Sequence, residues 1–355
     1  KSPTMVAAIR RFSRHVATSA DRPPRVFKEQ LGAIVLRSVQ DGKLDKKLWT
    51  DVSLELYNHL SVTSPRNITL VLNGMARVQL VDVPLLDHVA KSLSPAWLQN
   101  FNAQDLALMV NSYARLQRHS VKLFQACAEE LLWKLPDATV QELSMVANSY
   151  AKFKDHDETL FRHIAALAMP HSHTIEARHI ANLLHAFARV DALPSNMLEA
   201  LTLRLLEPDV AKDLAIVGVA HVFYALGRFA LRHPDAVPEN AGGLMGVLSQ
   251  QLVALKRRRG VVEVRHIVMI ARGCSATDSY SSALTRFLAN CLFEATQPWR
   301  LLECKSDQLL PSVKLPHRSM LLDIVDASAL LIHASKVTSE IDSGKQGAQA
   351  VDLEA

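Results

Sequence analysis

Cysteine is scarce in this 355-residue chain, and the four present, Cys127, Cys274, Cys291 and Cys304, form no C-x-x-C pair and no regular framework. That excludes a disulfide scaffold and argues against a structural zinc site; it fits free thiols in a reducing compartment. Glycine is also sparse, at 12 residues, and aromatic residues supply only 6% of a chain that is 49% hydrophobic. The alternation of Val, Ile and Thr expected of strands is not evident, so the core must be built of Leu, Val, Ile and Ala in helices. No run of eighteen uncharged apolar residues occurs. The nearest, LAIVGVAHVFYALGRFALR from Leu214, is interrupted by His221 and Arg228 and keeps a helical period, which describes a buried helix rather than a membrane span. Neither phosphate-cradling loop, G-x-x-x-x-G-K-[ST] or G-x-G-x-x-G, is present, and DSGKQG lies in a C-terminal tail unsuited to hold a phosphate, so nucleotide hydrolysis has no support.

What is present begins with charge. A net +5 and a pI near 9.0 suit RNA or an anionic surface, although so small a surplus is also ordinary, and its distribution must decide. The first twenty residues carry Lys1, Arg10, Arg11 and Arg14 and no acid, as in the end of an organelle transit sequence, and a start at Lys1 rather than Met suggests further sequence upstream.

The dominant pattern is an echo. NGMARV at Asn73, NSYARL at Asn111, NSYAKF at Asn148, HAFARV at His185 and YALGRF at Tyr224 recur at intervals of 38, 37, 37 and 39 residues. Two degraded copies index at Arg37 and near Ala271, the latter 47 residues after Tyr224, where residues 240–260 insert glycines and a basic run. Such a period is the signature of stacked helical hairpins. Within ATVQELSMVANSYAKF, Leu143, Val146, Ala147, Tyr150 and Ala151 form the apolar stripe of a first helix, which Thr139 or Gln141 could open. After the turn KDHD, ETLFRHIAALAM supplies a second helix that Pro170 ends. The predicted fold is all-α, an α-α superhelical solenoid of about 37–39-residue helical-hairpin repeats. Ala76, Ala114, Ala151, Ala188 and Gly227 share one register, where small residues would let neighbouring first helices approach closely. The expected layout is a basic extension over 1–24, the solenoid over 25–300, capping helices over 301–335 and a flexible tail over 336–355.

A second set of positions shares the first helix of each repeat. Its members at i, i+4 and i+8 are Thr69, Asn73, Arg77; Ala107, Asn111, Arg115; Ser144, Asn148, Lys152; Ala181, His185, Arg189; and Ala220, Tyr224, Arg228. The last is basic in all five copies. Stacking would align Arg77, Arg115, Lys152, Arg189 and Arg228 as a ladder for phosphates, with Asn73, Asn111, Asn148, His185 and Tyr224 one turn earlier for bases or sugars. Two plainer readings fit as well. A cation in the last turn answers the helix dipole, worth about 0.3–1 kcal/mol, and the Asn could bond the neighbouring repeat. Lys256, Arg257, Arg258 and Arg259 fall in the connection before the last first-helix, four cations without an acid, suited to phosphate or to an acidic protein.

Candidate chemistry is thin elsewhere. His171, His173, His179 and His185 cluster without the i, i+4 placement that puts two metal ligands on one face. Cys127 has no base nearby in sequence, and Trp97 and Trp133 flank repeat junctions where packing is expected before base stacking. The reading is of a binder without cofactor, metal or catalytic residue.

The segments LALMVNSYARLQRHSVKLFQACAEEL, LSMVANSYAKFKDHDETLFRHIAALA and IANLLHAFARVDALPSNMLEALTLRL resemble the octotricopeptide and heptatricopeptide repeats of organelle RNA-binding proteins related to the FASTK and RAP-domain proteins, over roughly residues 30 to 300. The resemblance implies a mitochondrial matrix location before a plastid one, and binding of rRNA or other single-stranded organelle RNA, as in a structural subunit of a mitochondrial ribosome. No C-terminal RAP domain is recognisable, which removes any nuclease suggestion. The rival expectation is a protein-interaction scaffold, an accessory subunit of a respiratory or ATP synthase complex.

Overall fold

The computed structural model describes residues 35, 46–154, 157–207, 209–258, 260–279, 281–303 and 322–336. The 1–24 extension, Arg37, Arg259, Cys304 and nearly all of the 336–355 tail lie outside them. Among the described residues the regular elements are all helical, with no strand. The chain divides into two compact units, Lys1–Lys134 and Leu135–Ala355.

The first unit holds α1 (Lys46–His59), α2 (Pro65–Val78), α3 (Val83–Ser92), the short α4 (Pro95–Leu98), α5 (Ala103–Arg115) and α6 (Val121–Lys134). The second holds α7 (Val140–Lys152), α8 (Glu158–Ala168), α9 (Ala177–Arg189), α10 (Ser195–Leu206), α11 (Ile216–Arg232), α12 (Ala241–Arg257), α13 (Val264–Ala276), α14 (Ser282–Glu303) and α15 (322–336). The echoes sit on α2, α5, α7, α9 and α11, the degraded copy at Ala271 on α13, and each is followed by its second helix. Like stacks on like: α5 on α2 in one unit, and α9 on α7, α11 on α9 and α13 on α11 in the other. Each unit is thus a stretch of α-α solenoid.

Sequence punctuation sets the helix starts. Ser64, Asp82, Asn102 and Asp157 each accept a backbone N–H three residues on, and Thr139 opens α7 in a reciprocal capping box with Glu142. The ends share one device. Gln79, Gln117, Lys154 and Asp191 all take the left-handed conformation, at φ 57, 56, 56 and 57°. Each stands six residues after its index residue. The next N–H then reaches back to the helix, Leu80 to Met75 O, Arg118 to Tyr113 O and Ala192 to Phe187 O at 2.9–3.0 Å, which satisfies orphan carbonyls as a Schellman motif does. In the fifth copy no such corner forms and α11 runs on to Arg232.

Neighbour contact is carried by the small-residue register. Ala76, Ala114, Ala151 and Ala188 are at most 3% exposed. At Gly227 a Cβ would stand 2.7 Å from Gly273 Cα, and at Gly273 one would stand 2.4 Å from Phe223 O, so the α11–α13 crossing brings backbone against backbone. Buried polar links reinforce the stacking: Thr69 Oγ1 donates to Asp105 at 3.1 Å, and Ser144 Oγ meets His179 Nδ1 at 3.1 Å. Lys134 Nζ gathers the carbonyls of Leu98, Gln99 and Phe101 at 2.7–3.2 Å, tying the end of α6 to the loop after α4.

Where an insertion is expected at residues 240–260, Ala241–Arg257 is helix. Gly242, Gly243 and Gly246 lie on the open face of α12, where a Cβ would meet nothing within 4 Å, so they cost helix propensity without breaking packing. The added length of the period comes from longer helices, 17 residues each for α11 and α12.

Candidate nucleic-acid interface

The echo separates into distinct jobs one residue at a time. In α5, Val110, Tyr113, Ala114 and Leu116 are buried. The Tyr113 hydroxyl donates to Leu86 O of the preceding hairpin at 2.6 Å, and burial raises its pKa further. Ser112 and Ser149 bond their own helix, to Leu108 O and Met145 O at 2.6 Å, a way of hiding a hydroxyl inside a stack. Asn73, Asn111 and Asn148 are half-buried, and none of their side chains finds a hydrogen-bond partner among the described residues. The alternative in which these amides bond the next repeat is therefore not realised there.

The i, i+4, i+8 face tilts. Its first members are buried, Thr69 at 0% and Ser144 at 1%, while the index residues are half-buried. Only the C-terminal half of each first helix meets solvent on that side. A ligand would follow the edge made by the last turns and their corners.

In the first unit that edge is cationic. Arg77 and Arg115 are exposed and neither forms an ion pair among the described residues. Desolvation, and then the charge of Arg77, lowers the Arg115 pKa, so the two guanidiniums lie near enough to repel. Arg77 and Arg115 are in the last turns of α2 and α5, as a dipole-answering role would have them, yet no carbonyl hydrogen bond from either is made there.

In the second unit the ladder is partly spent on structure. Arg189 donates to Lys152 O at 3.1 Å, closing the end of the preceding α7. Arg228 and Arg232 divide the two carboxylate oxygens of Asp191, the left-handed corner residue one repeat earlier. Lys152 is half-buried and engaged. Beside these, His185 and His221 stack face to face, with ring centroids 4.0 Å apart and planes 6° from parallel, and Tyr224 tilts against His185 at 5.2 Å. Burial first, then neighbouring positive charge, pushes His185 down to about 2 and His221 to about 4, so both rings are neutral at pH 7.

The basic cluster at the end of α12 differs from expectation. Lys256 and Arg257 are in the helix rather than in a connection, and Arg258 caps it. Lys256 is paired with Glu294 of α14 at 2.7 Å, which leaves Arg257 and Arg258 as the exposed cations. Trp133, expected to pack, is 85% exposed because it stands on the outer side of α6 near its end. Cys127, Cys274 and Cys291 are buried thiols whose pKa values burial raises, the first two to about 12, which removes them from thiolate chemistry. His179 turns to Ser144 and His185 to His221, while His171 and His173 face solvent, so the four do not converge.

Four residues of this edge escaped the reading of the sequence: Lys154, Asp191, His221 and Arg232. Extending the register two places beyond the basic position would have found the first two, since every corner but the fifth falls there.

A family model described as RESC6, RNA-editing substrate-binding complex 6 protein, matches residues 22–234, more than half of the chain. No curated protein matches it.

Proposed function

We propose, because the chain belongs to the RNA-editing substrate-binding complex 6 protein family, that it is an RNA-binding helical-repeat subunit that holds substrate RNA within an editing assembly of a mitochondrion. The observation that carries this reading is the edge of α2 and α5. Two exposed guanidiniums, Arg77 and Arg115, stand at one register on the stacked α2 and α5 with no ion pair among the described residues, beside the half-buried amides of Asn73 and Asn111 that no protein group satisfies there. An exposed guanidinium without a carboxylate partner suits a phosphate, and unpaired amides suit bases or sugars. Asn148, Lys152, Arg257 and Arg258 extend the same chemistry in the second unit, while Arg189 and Arg228 contribute what their structural bonds leave over. The role is binding rather than catalysis, with no cofactor or metal.

The narrower expectations, a mitochondrial ribosomal subunit and kinship with the octotricopeptide, FASTK and RAP-domain proteins, rest on repeat pattern alone, whereas the family description speaks of editing substrates. Charge reversal tests the reading. R77E/R115E should weaken binding of a short unstructured RNA about tenfold or more and lower the slope of log affinity against log salt by roughly 0.7 for each phosphate no longer neutralised. Unchanged affinity with a lowered melting temperature would return these residues to a purely structural role. Crosslinking in organelle extract then separates the assemblies: recovery of ribosomal RNA would favour the ribosome, edited transcripts the editing assembly, and no RNA at all a protein scaffold.

A further inference from the structure

Where the end of α9 lies beside the Tyr224–Arg228 turn of α11, a cleft of about 400 Å³ opens, lined by Lys154, Arg189, Val190, Asp191, Tyr224 and Arg228. Its volume lies in the range that takes a small-molecule ligand. Three of the six lining side chains are cations, and both oxygens of the single acid, Asp191, are already held by Arg228 and Arg232. The cleft therefore presents donors. Buried Arg228 Nε has no partner among the described residues, a polar group left unsatisfied at the wall. Tyr224 is half-exposed, its hydroxyl bonds no protein group among the described residues, and its ring leans on the His185–His221 stack, which restricts how it can turn. Lys154 stands exposed on the left-handed corner after α7 and lines the same cleft.

We infer that this cleft is a subsite for one unstacked nucleotide of a single-stranded RNA, its base against the Tyr224 ring and its phosphate between Lys154 and Arg189. An aromatic face accepts any base once that base has left the strand's own stack, and flanking cations hold the backbone that delivers it. A base paired within a duplex cannot reach the ring, so the subsite selects unpaired RNA. The inference rests on the RNA-binding reading and adds the form of RNA bound and where one nucleotide sits.

The full-length chain is titrated with a labelled short unstructured RNA, with the same sequence as a duplex for comparison, and ultraviolet crosslinking maps the contact. Tyr224→Leu should weaken the single-strand complex by about tenfold, the size expected for one base stacked on an aromatic ring. Tyr224→Phe should stay within about twofold of the parent, because the ring face is kept. K154E should weaken binding and lower the salt slope. The crosslink should map to the peptide holding Tyr224 and vanish in the Leu variant. Unchanged affinity in a Tyr224→Leu protein that melts like the parent, with R77E/R115E still impairing binding, would overturn the subsite and leave the broader reading standing. Equal affinity for duplex and single strand would also overturn it. Failure of the parent chain to bind any RNA would remove both.

Discussion

At the scale of single residues, the recurring motif is an alternation of duties rather than a block. Tyr113 and Ala114 hold the stack, Ser112 folds its hydroxyl back onto its own helix, and Asn111 and Arg115 are left facing outward without protein partners among the described residues. The corners carry the clearest strain. An L-residue in the left-handed region costs about 1–2 kcal/mol, which glycine does not pay, yet the corner residues are Gln79, Gln117, Lys154 and Asp191. Replacing Gln117, whose side chain makes no hydrogen bond among the described residues, by Gly should raise stability by about 0.5–1 kcal/mol once the greater freedom of unfolded glycine is subtracted. Chemical denaturation of the two proteins would measure it; a loss of stability would mean the glutamine has a partner that offsets the strain.

Among elements, packing between first helices sets the limits. Gly227→Ala would drive a methyl to within 2.7 Å of Gly273 Cα, backbone that cannot step aside, and should destabilise by about 1–3 kcal/mol, seen as a lower melting temperature. Gly246→Ala is the counterpart: nothing lies within 4 Å of the added methyl on α12, so helix propensity alone should raise stability by about 1 kcal/mol. This level was the most legible in the sequence, because a period of 37–39 residues with an i, i+3, i+4 apolar stripe specifies both hairpin and neighbour contact. The site was legible only in part. The ladder's five cations share a register, but register does not tell which pair with protein: Arg228 finds Asp191 and Arg189 finds a carbonyl, while Arg77 and Arg115 find neither among the described residues. The His185–His221 stack was hidden for a similar reason, since the two residues stand at different places in their repeats and meet only through the relative placement of α9 and α11. The basic run at Lys256 read as a connection because glycines and cations together stretch the period there, whereas Gly242, Gly243 and Gly246 face open space on a continuing helix.

For the molecule as a whole, the neutral histidines couple stability to acidity. An unfolded histidine titrates near 6.5, while folded His185 and His221 bind protons only near 2 and 4 respectively, and burial lowers His266 as well. Above about pH 6.5 these imidazoles are neutral in folded and unfolded chains alike and stability is fully present. As pH falls below that value the unfolded chain takes up protons the folded chain refuses, so stability declines toward pH 4. Thermal melts across this window should show His221→Phe, which keeps an aromatic ring on His185, declining less steeply than the parent; identical slopes would mean the imidazoles are hydrated.

Six side-chain links between repeats of the second unit join residues 35 to 39 apart, about one period: Ser144 with His179, Lys152 with Arg189, Asp191 with Arg228, Thr202 with Asn240, Lys212 with Gln251 and Lys256 with Glu294. Each bond reaches the next copy and no further. Unequal recombination between the codons of Asn148 and His185 would excise residues 149–185 and set Asn148 directly before Ala186, Phe187, Ala188 and Arg189, rebuilding an echo with its amide, aromatic, small and basic positions in register. Excision of any length out of step with the period would instead bring a stacking position to the surface. Loss or gain of whole copies is therefore the form of length variation that this architecture tolerates, and the edge proposed to bind RNA would lengthen or shorten with it.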